Sequence, residues 1–127
     1  MPLRRPPLTL LTPSQIRLLA SARTGHLATA GLTGAPHVIP VCFALGGEPI
    51  QSDVIYSVLD QKPKRTSLTR LRRVRNILAN PQVSLAVDHY EEAWDRLWYI
   101  LIRGHAELLL EGEERVQAIA QLRQKYD

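Results

Sequence analysis

The feature that most constrains the fold is a change in the spacing of apolar residues at Gly25. Before this glycine, Ile16, Leu19 and Ala20 fall on one face of a helix. Beyond it, apolar residues recur mostly at every second position, in short runs separated by glycine and proline. This pattern predicts a mainly β (α+β) chain with an antiparallel sheet.

The first helix carries a clear start signal. Thr12 is the predicted N-cap, Pro13 occupies the first helical position, and Gln15 completes a capping box. Gly25 is the predicted stop of the helix.

Five strands are predicted, and Pro40 within the second of them favours an edge or a bulge there, since proline donates no ladder hydrogen bond. Their ranges are His26–Ala30, His37–Leu45, Val54–Leu59, Val83–Val87 and Leu97–Leu110.

Two further helices are predicted. Leu68, Leu71, Val74 and Leu78 recur at helical spacing before Pro81. The last helix covers Glu113–Tyr126, with Val116, Ile119 and Ala120 as its apolar residues. The order helix, three strands, helix, two strands, helix favours an antiparallel barrel with flanking helices.

The length of 127 residues suits one domain. We expect residues 1–11 to be an extended N-terminal lead-in and residues 12–127 to form the folded domain. No apolar run is long enough for a membrane helix, and prolines follow the first basic residues where a signal peptide would be apolar. We therefore expect a cytoplasmic protein without a membrane partner. The single cysteine, Cys42, agrees with this location, because it excludes an intrachain disulfide.

A basic connection follows the third predicted strand. It contains Lys62, Lys64, Arg65 and Thr66 and leads towards a helix. Cations, backbone N–H groups and the positive end of a helix together favour a phosphate. A solvated basic loop is the alternative that the residues alone leave open.

Other constellations are less informative. The arginines from Arg65 to Arg75 lack interleaved aromatic residues, so binding to nucleic acid is disfavoured despite the net charge of +4. The four histidines have no metal-ligand spacing, and no catalytic constellation is evident. Cys42 lies in an apolar strand and is expected to be an inert core thiol.

Four aromatic residues cluster around one loop: Tyr90, Trp94, Trp98 and Tyr99. Core packing is the ordinary role of such side chains. A lid over a planar ligand and a subunit interface are the alternatives.

Taken together, these segments resemble the pyridoxamine-phosphate-oxidase-like, FMN-binding split-barrel family, most closely its F420-dependent oxidoreductase class. The similarity covers residues 12–126, and no single motif is diagnostic. It rests on Gly25–Thr29, Gly34–Phe43, Asp60–Lys64, Arg72–Ile77, Asn80–Leu85, Asp88–Tyr90, Trp94, Arg96–Trp98 and Arg103–Ala106, in this order.

The resemblance implies a homodimer with cofactor sites at the subunit interface. Three groups of residues would form each site: strand residues at the ring, polar residues at the phosphate, and tryptophans near the partner's cofactor. They are Pro40, Val41 and Cys42 with Tyr56, Ser57 and Val58 for the ring, Lys62, Lys64 and Thr66 for the phosphate, and Trp94 and Trp98 for the partner.

The function that the resemblance implies is hydride transfer between F420 or FMN and a small-molecule substrate. The arginine-rich helix would suit the anionic tail of F420, which favours that cofactor slightly. Non-catalytic flavin- or haem-binding modules are the alternatives, and a basic nucleic-acid-binding protein is a weaker one. The family also implies a strand after the last helix, whereas this sequence ends at Asp127. We therefore expect part of the barrel to be open or filled by a partner.

Overall fold

The computed structural model describes residues 2–4, 11–46, 54–58 and 71–126. They form seven strands, three α-helices and a short 3-10 turn at Trp94–Arg96. The strands are β1 Pro2–Arg4, β2 Gly25–Ala30, β3 Pro36–Val41, β4 Phe43–Leu45, β5 Val54–Ser57, β6 Gln82–His89 and β7 Trp98–Ala106. The helices are α1 Pro13–Ser21, α2 Arg72–Ala79 and α3 Glu113–Lys125.

The strands make one sheet in the order β3-β2-β6-β7-β1-β5-β4, and every described pairing is antiparallel. Laid flat, seven strands would span roughly 29 Å, since neighbouring strands lie about 4.8 Å apart. Yet the two edge strands, β3 and β4, are separated in the chain by Cys42 alone. The sheet must therefore curl until its two edges come together at this residue. Among the described strands, β3 and β4 are not paired with each other, so the barrel is open between them.

The curled sheet encloses the larger core. Leu19 of α1 and Phe43 of β4 are fully buried there, beside Leu27, Leu85 and Val87 of the central strands. A second cluster lies between α3 and the β4–β5 pair, and it consists of Ala44, Val54, Tyr56, Ala118 and Leu122.

The predicted capping box of α1 is confirmed. The Gln15 backbone N–H donates to Thr12 Oγ1 at 3.2 Å, and the Thr12 N–H donates to Gln15 Oε1 at 2.8 Å. The predicted stop at Gly25 is wrong, because α1 ends at Ser21 and Gly25 opens β2. A Cβ on this glycine would lie 3.0 Å from Leu85 Cδ1, so close packing explains the residue.

The predicted single strand His37–Leu45 is in fact two strands that break at Cys42. β3 pairs with β2, whereas β4 pairs with β5 at the opposite edge of the sheet. The change of partner forces the break, because one straight strand cannot reach both edges of the sheet. Pro40 does lie on an edge strand, as predicted.

The apolar face predicted for the last helix is also wrong. Ala118 and Leu122 are the buried residues of α3, whereas Val116 and Ala120 are exposed and Ile119 is half-buried. Ala20 of α1 is exposed as well. The rest of the face predicted for α1 is confirmed, since Leu19 is buried and Ile16 packs against the larger core. In α3, contact with the sheet selects a face that neighbours the predicted one.

The N-terminal lead-in contributes a strand to the sheet. The backbone of Pro2–Arg4 lies between β5 and β7, with Leu3 opposite Ile55 on one side and Ala106 on the other. The last predicted strand is shorter than expected and covers Trp98–Ala106.

Candidate functional site

The two segments predicted to line a ring meet at Cys42 and Ser57. Phe43 of β4 is the register partner of Ser57 of β5. The Ser57 hydroxyl donates a hydrogen bond to the carbonyl oxygen of Cys42 at 2.7 Å. The bend of the chain at Cys42, here called the Cys42 bend, is thus held against the end of β5.

The side chains of these segments point in different directions. Val41 is buried in the larger core and Ser57 is buried beside it. Tyr56 is only 5% exposed and lies in the second cluster, where its hydroxyl donates to Glu114 Oε2 at 3.0 Å. The accessible side chains among the six predicted residues are the exposed Pro40 and the half-buried Cys42 and Val58.

The residues predicted to hold a phosphate, Lys62, Lys64 and Thr66, lie outside the described residues. The described chain reaches Val58 after β5 and resumes at Leu71 before α2. Arg72 and Arg75 of α2 are exposed, so this helix adds positive charge after the basic segment.

The two predicted tryptophans differ in their surroundings. Trp94 lies in the 3-10 turn and is 76% exposed. Trp98 begins β7, is half-buried and packs against the larger core. Tyr90 and Tyr99 are also mostly exposed, so the loop between β6 and β7 and the first residues of β7 present aromatic surface to their surroundings.

The C-terminal end of α3 contacts the Cys42 bend, which the sequence analysis did not predict. The Tyr126 hydroxyl accepts the Phe43 N–H at 3.1 Å and lies 2.9 Å from the Arg23 carbonyl oxygen, to which it donates. Lys125 Nζ donates to the Leu19 carbonyl oxygen at 3.1 Å and lies 3.9 Å from the centre of the Phe43 ring. No spacing motif signals contacts between residues this distant in the chain.

Burial changes the titration of both residues. It lowers the pKa of Lys125 to about 8, and the charge of Arg23 acts in the same direction. Burial also raises the pKa of the Tyr126 hydroxyl. Both shifts favour the neutral forms, as expected for groups partly removed from water.

A groove of about 510 Å³ lies at the end of the curled sheet beside the C-terminus of α1. It is bordered by polar and aromatic side chains, including Arg23, Thr24, His26, Asp88, His89 and Trp98. The imidazole of His89 stacks on the indole of Trp98, with ring centroids 6.3 Å apart and an interplanar angle of 18°.

Two classes of feature are not found within the described ranges. No group of three or more His, Cys, Asp and Glu side chains is arranged to hold a metal ion. Among the described helices, none has the length and apolar composition needed to cross a membrane.

Several solved structures share the fold. The conserved protein Rv2991 from Mycobacterium tuberculosis is 22% identical, with a TM-score of 0.70 over 97% of this chain and 68% of its own. The heme storage protein HutZ from Vibrio cholerae is 22% identical, with a TM-score of 0.66 over 91% of this chain and 75% of its own. A FAD-binding protein from Mesorhizobium loti is 21% identical, with a TM-score of 0.52 over 90% and 75%, respectively.

The sequence itself identifies the family. The sequence model for pyridoxamine 5'-phosphate oxidase matches residues 11–127, which include nearly all of the described chain. Among curated proteins, none matches the sequence. The structural neighbours confirm the split-barrel fold that the resemblance implied. The chain therefore belongs to the pyridoxamine 5'-phosphate oxidase family.

Proposed function

We propose that this protein is an oxidoreductase that uses a flavin-type cofactor, either F420 or FMN. The observation that carries the proposal is the contact between the Cys42 bend and the end of β5, through the 2.7 Å hydrogen bond from Ser57. It brings the half-buried Cys42 next to the end of β5, where the half-buried Val58 follows. In the sequence, the segment that contains Lys62 and Lys64 begins directly after Val58.

The residues present suit a cofactor with a flat ring and a phosphate. Proline, cysteine and valine offer small apolar surfaces, which favour a planar ring. The buried Val41 and Tyr56 would contact a ring through their backbone, because their side chains pack in the two cores. Lys62, Lys64 and Thr66 have the charges and hydroxyl that suit a phosphate.

When bound, a flavin or deazaflavin supplies the hydride chemistry. The chain's own residues would bind and orient it. Arg72 and Arg75 on α2 would favour the additional anionic groups of F420, which supports that cofactor over FMN.

We also propose that two copies of the chain pair through the outer face of β3, β2, β6 and β7. Pro40, His26, Ala86 and Leu101 form one row across these strands, because consecutive members are register partners. Exposed Val38 and Tyr99 continue the same face. Asp88 and Arg103 lie on this face too, as register partners of Tyr99 and Ser84, so the face combines apolar and charged side chains. Such a mixture is typical of subunit contacts, and the face includes Pro40 of the proposed ring site.

The absorbance spectrum of the purified protein tests the proposed cofactor class. A bound flavin or deazaflavin would add its visible or near-ultraviolet band to the protein spectrum. A spectrum that stays purely that of protein after saturation with FMN and with F420 would contradict the proposal.

Haem binding is the second candidate. It is supported by the similarity to a heme storage protein and by two imidazoles, His26 and His89, that line the groove. Neutral imidazole nitrogens are ordinary haem ligands. A Soret band after titration with haemin, lost in His89→Ala or His26→Ala, would favour this candidate over the flavin.

A further inference from the structure

The groove at the end of the sheet is a separate feature from the proposed ring strands. Its volume of about 510 Å³ lies in the range of small-ligand sites, roughly 300–1,000 Å³. One wall comes from the C-terminal end of α1, and the other from the ends of β2, β6 and β7.

A flat aromatic wall forms one side of the groove. His89 and Trp98 are stacked nearly in parallel, and the half-buried Trp98 packs against the larger core. His89 Nε2 lies 3.2 Å from Glu91 Oε1, so the carboxylate helps to orient the imidazole. Rings held in place in this way favour planar ligands, since stacking gains energy without ordering the wall.

The charges along the groove approximately balance. Arg23 and Asp88 both line the groove, one as a cation and one as an anion. The Arg23 guanidinium is also directed towards α3, where Nη1 donates to the Lys125 carbonyl oxygen at 2.9 Å and the group lies 4.5 Å from the centre of the Tyr126 ring. The remaining polar groups include the Thr24 hydroxyl and the His26 imidazole. These suit neutral hydrogen-bonding groups on a ligand better than a net charge.

The groove adjoins the proposed ring site. His26 is the register partner of Pro40. Side chains of directly opposed strand residues lie on one face of the sheet, with Cβ atoms about 5 Å apart. A ligand that contacts His26 would thus lie one strand away from Pro40, which the proposed function assigns to the cofactor ring.

From this juxtaposition we propose that the groove binds the substrate, a planar and uncharged aromatic compound that carries hydrogen-bond acceptors. His89 and Trp98 stack on the aromatic plane, while Thr24 and His26 hold the polar end beside Pro40. This inference rests on the proposed function, because it names the substrate class of the same site.

The test is a ligand titration followed by NMR. The chain has two tryptophans, so Trp94→Phe leaves the indole N–H signal of Trp98 alone. Three probes are added to this protein without cofactor: 2-naphthamide, the anionic 2-naphthoate, and the non-planar cyclohexanecarboxamide. We expect a saturable shift of the Trp98 signal with 2-naphthamide, and affinity at least threefold weaker for the other two.

The variant His89→Ala, made in the Trp94→Phe background, should weaken 2-naphthamide binding about three- to tenfold, the usual range for a lost aromatic contact. Tyr90→Ala is the matched control, since Tyr90 is the next residue and is mostly exposed. It should leave the affinity unchanged.

The outcomes separate the groove from the cofactor. If the protein binds FMN or F420 but the Trp98 signal does not shift with 2-naphthamide, the groove is not the substrate site, and the proposed function is unaffected. A Trp98 shift in a protein that binds neither cofactor would support a ligand groove and overturn the oxidoreductase. Equal affinity for 2-naphthamide and 2-naphthoate would contradict the proposal that the substrate is uncharged. Displacement of 2-naphthamide by FMN would contradict the proposal that substrate and cofactor occupy different positions.

Discussion

The hydroxyl of Ser57 donates a 2.7 Å hydrogen bond to the carbonyl oxygen of Cys42, the single residue between the two edge strands of the sheet. This bond joins the end of β5 to the point where the chain leaves one edge and enters the other. It therefore holds together the two segments that are proposed to contact a cofactor.

Loss of this bond should destabilise the protein. Ser57→Ala should lower the free energy of unfolding by about 1–2 kcal/mol, because the carbonyl oxygen of Cys42 loses a donor in a part-buried position. Urea denaturation measures the change. Thr33→Ala, in the exposed turn after β2, is the control and should change stability by less than about 0.5 kcal/mol. Equal effects of the two variants would show that the Ser57 bond contributes nothing.

A second buried pair attaches α2 to the sheet. Asn76 Nδ2 donates to Thr29 Oγ1 at 3.0 Å, and the two residues are 7% and 3% exposed. Asn76→Ala and Thr29→Val should each cost stability, whereas the double variant should cost about 1 kcal/mol less than their sum. A double-mutant cycle by urea denaturation measures this coupling. Strictly additive effects would contradict an energetic contribution from the hydrogen bond.

The contact between α3 and the Cys42 bend should make stability depend on pH in the alkaline range. The pKa of Lys125 is about 8 in the folded chain and near 10.5 when unfolded, so its contribution is lost as pH falls through 8. Stability should thus rise from pH 8 towards pH 10, by about 1 kcal/mol after the reduction that solvent screening imposes on a half-exposed charge. Tyr126 acts oppositely above pH 10, because its pKa is raised and its contribution is lost on deprotonation.

Thermal unfolding across pH 7–10 measures this dependence. Lys125→Met should abolish the rise between pH 8 and pH 10. Lys62→Met is the control, because it removes a lysine elsewhere in the chain and should leave the rise in place. A rise that persists in Lys125→Met would assign the dependence to another group.

The fold could be predicted from the sequence where local signals dominate. The Thr12–Gln15 capping box fixed the start of α1, and alternation located most of β2, β5 and β6. The predictions were wrong where contacts between residues distant in the sequence determine the strand boundaries and the buried faces. The period of two continues through Cys42, so alternation cannot reveal that β3 and β4 pair at opposite edges of the sheet.

The candidate site, too, could be predicted from the sequence only in part. The resemblance implied that residues 40–42 and 56–58 lie on neighbouring strands. In the structure the hydrogen bond from Ser57 to Cys42 joins the two segments, while the strand that pairs with β5 is β4 and not β3. The burial of Tyr56 against α3 could not be predicted, because it depends on contact with Glu114, which lies 58 positions later in the sequence. The groove at His89 and Trp98 could not be predicted from the sequence either, since its walls come from α1 and from the ends of three strands.

The proposed subunit contact can be tested with one charge. Leu101→Glu places a carboxylate on the outer sheet face, where Leu101 is 47% exposed, and should convert a dimer into a monomer by burying an unpaired charge. Analytical ultracentrifugation measures the change. Leu110→Glu is the matched control, since this leucine is 63% exposed and lies outside that face. A wild-type protein that sediments as a monomer would refute the contact.

The most direct test of the proposed function is a titration of the protein with FMN and with F420, followed by fluorescence or absorbance. The wild-type chain should bind at least one of them saturably. Lys62→Ala combined with Lys64→Ala should weaken that binding by several kcal/mol in total, at about 1.5–3 kcal/mol for each charged hydrogen bond. Arg115→Ala, on the exposed surface of α3, should bind like the wild type. Unchanged affinity in the double lysine variant would contradict the proposed phosphate site.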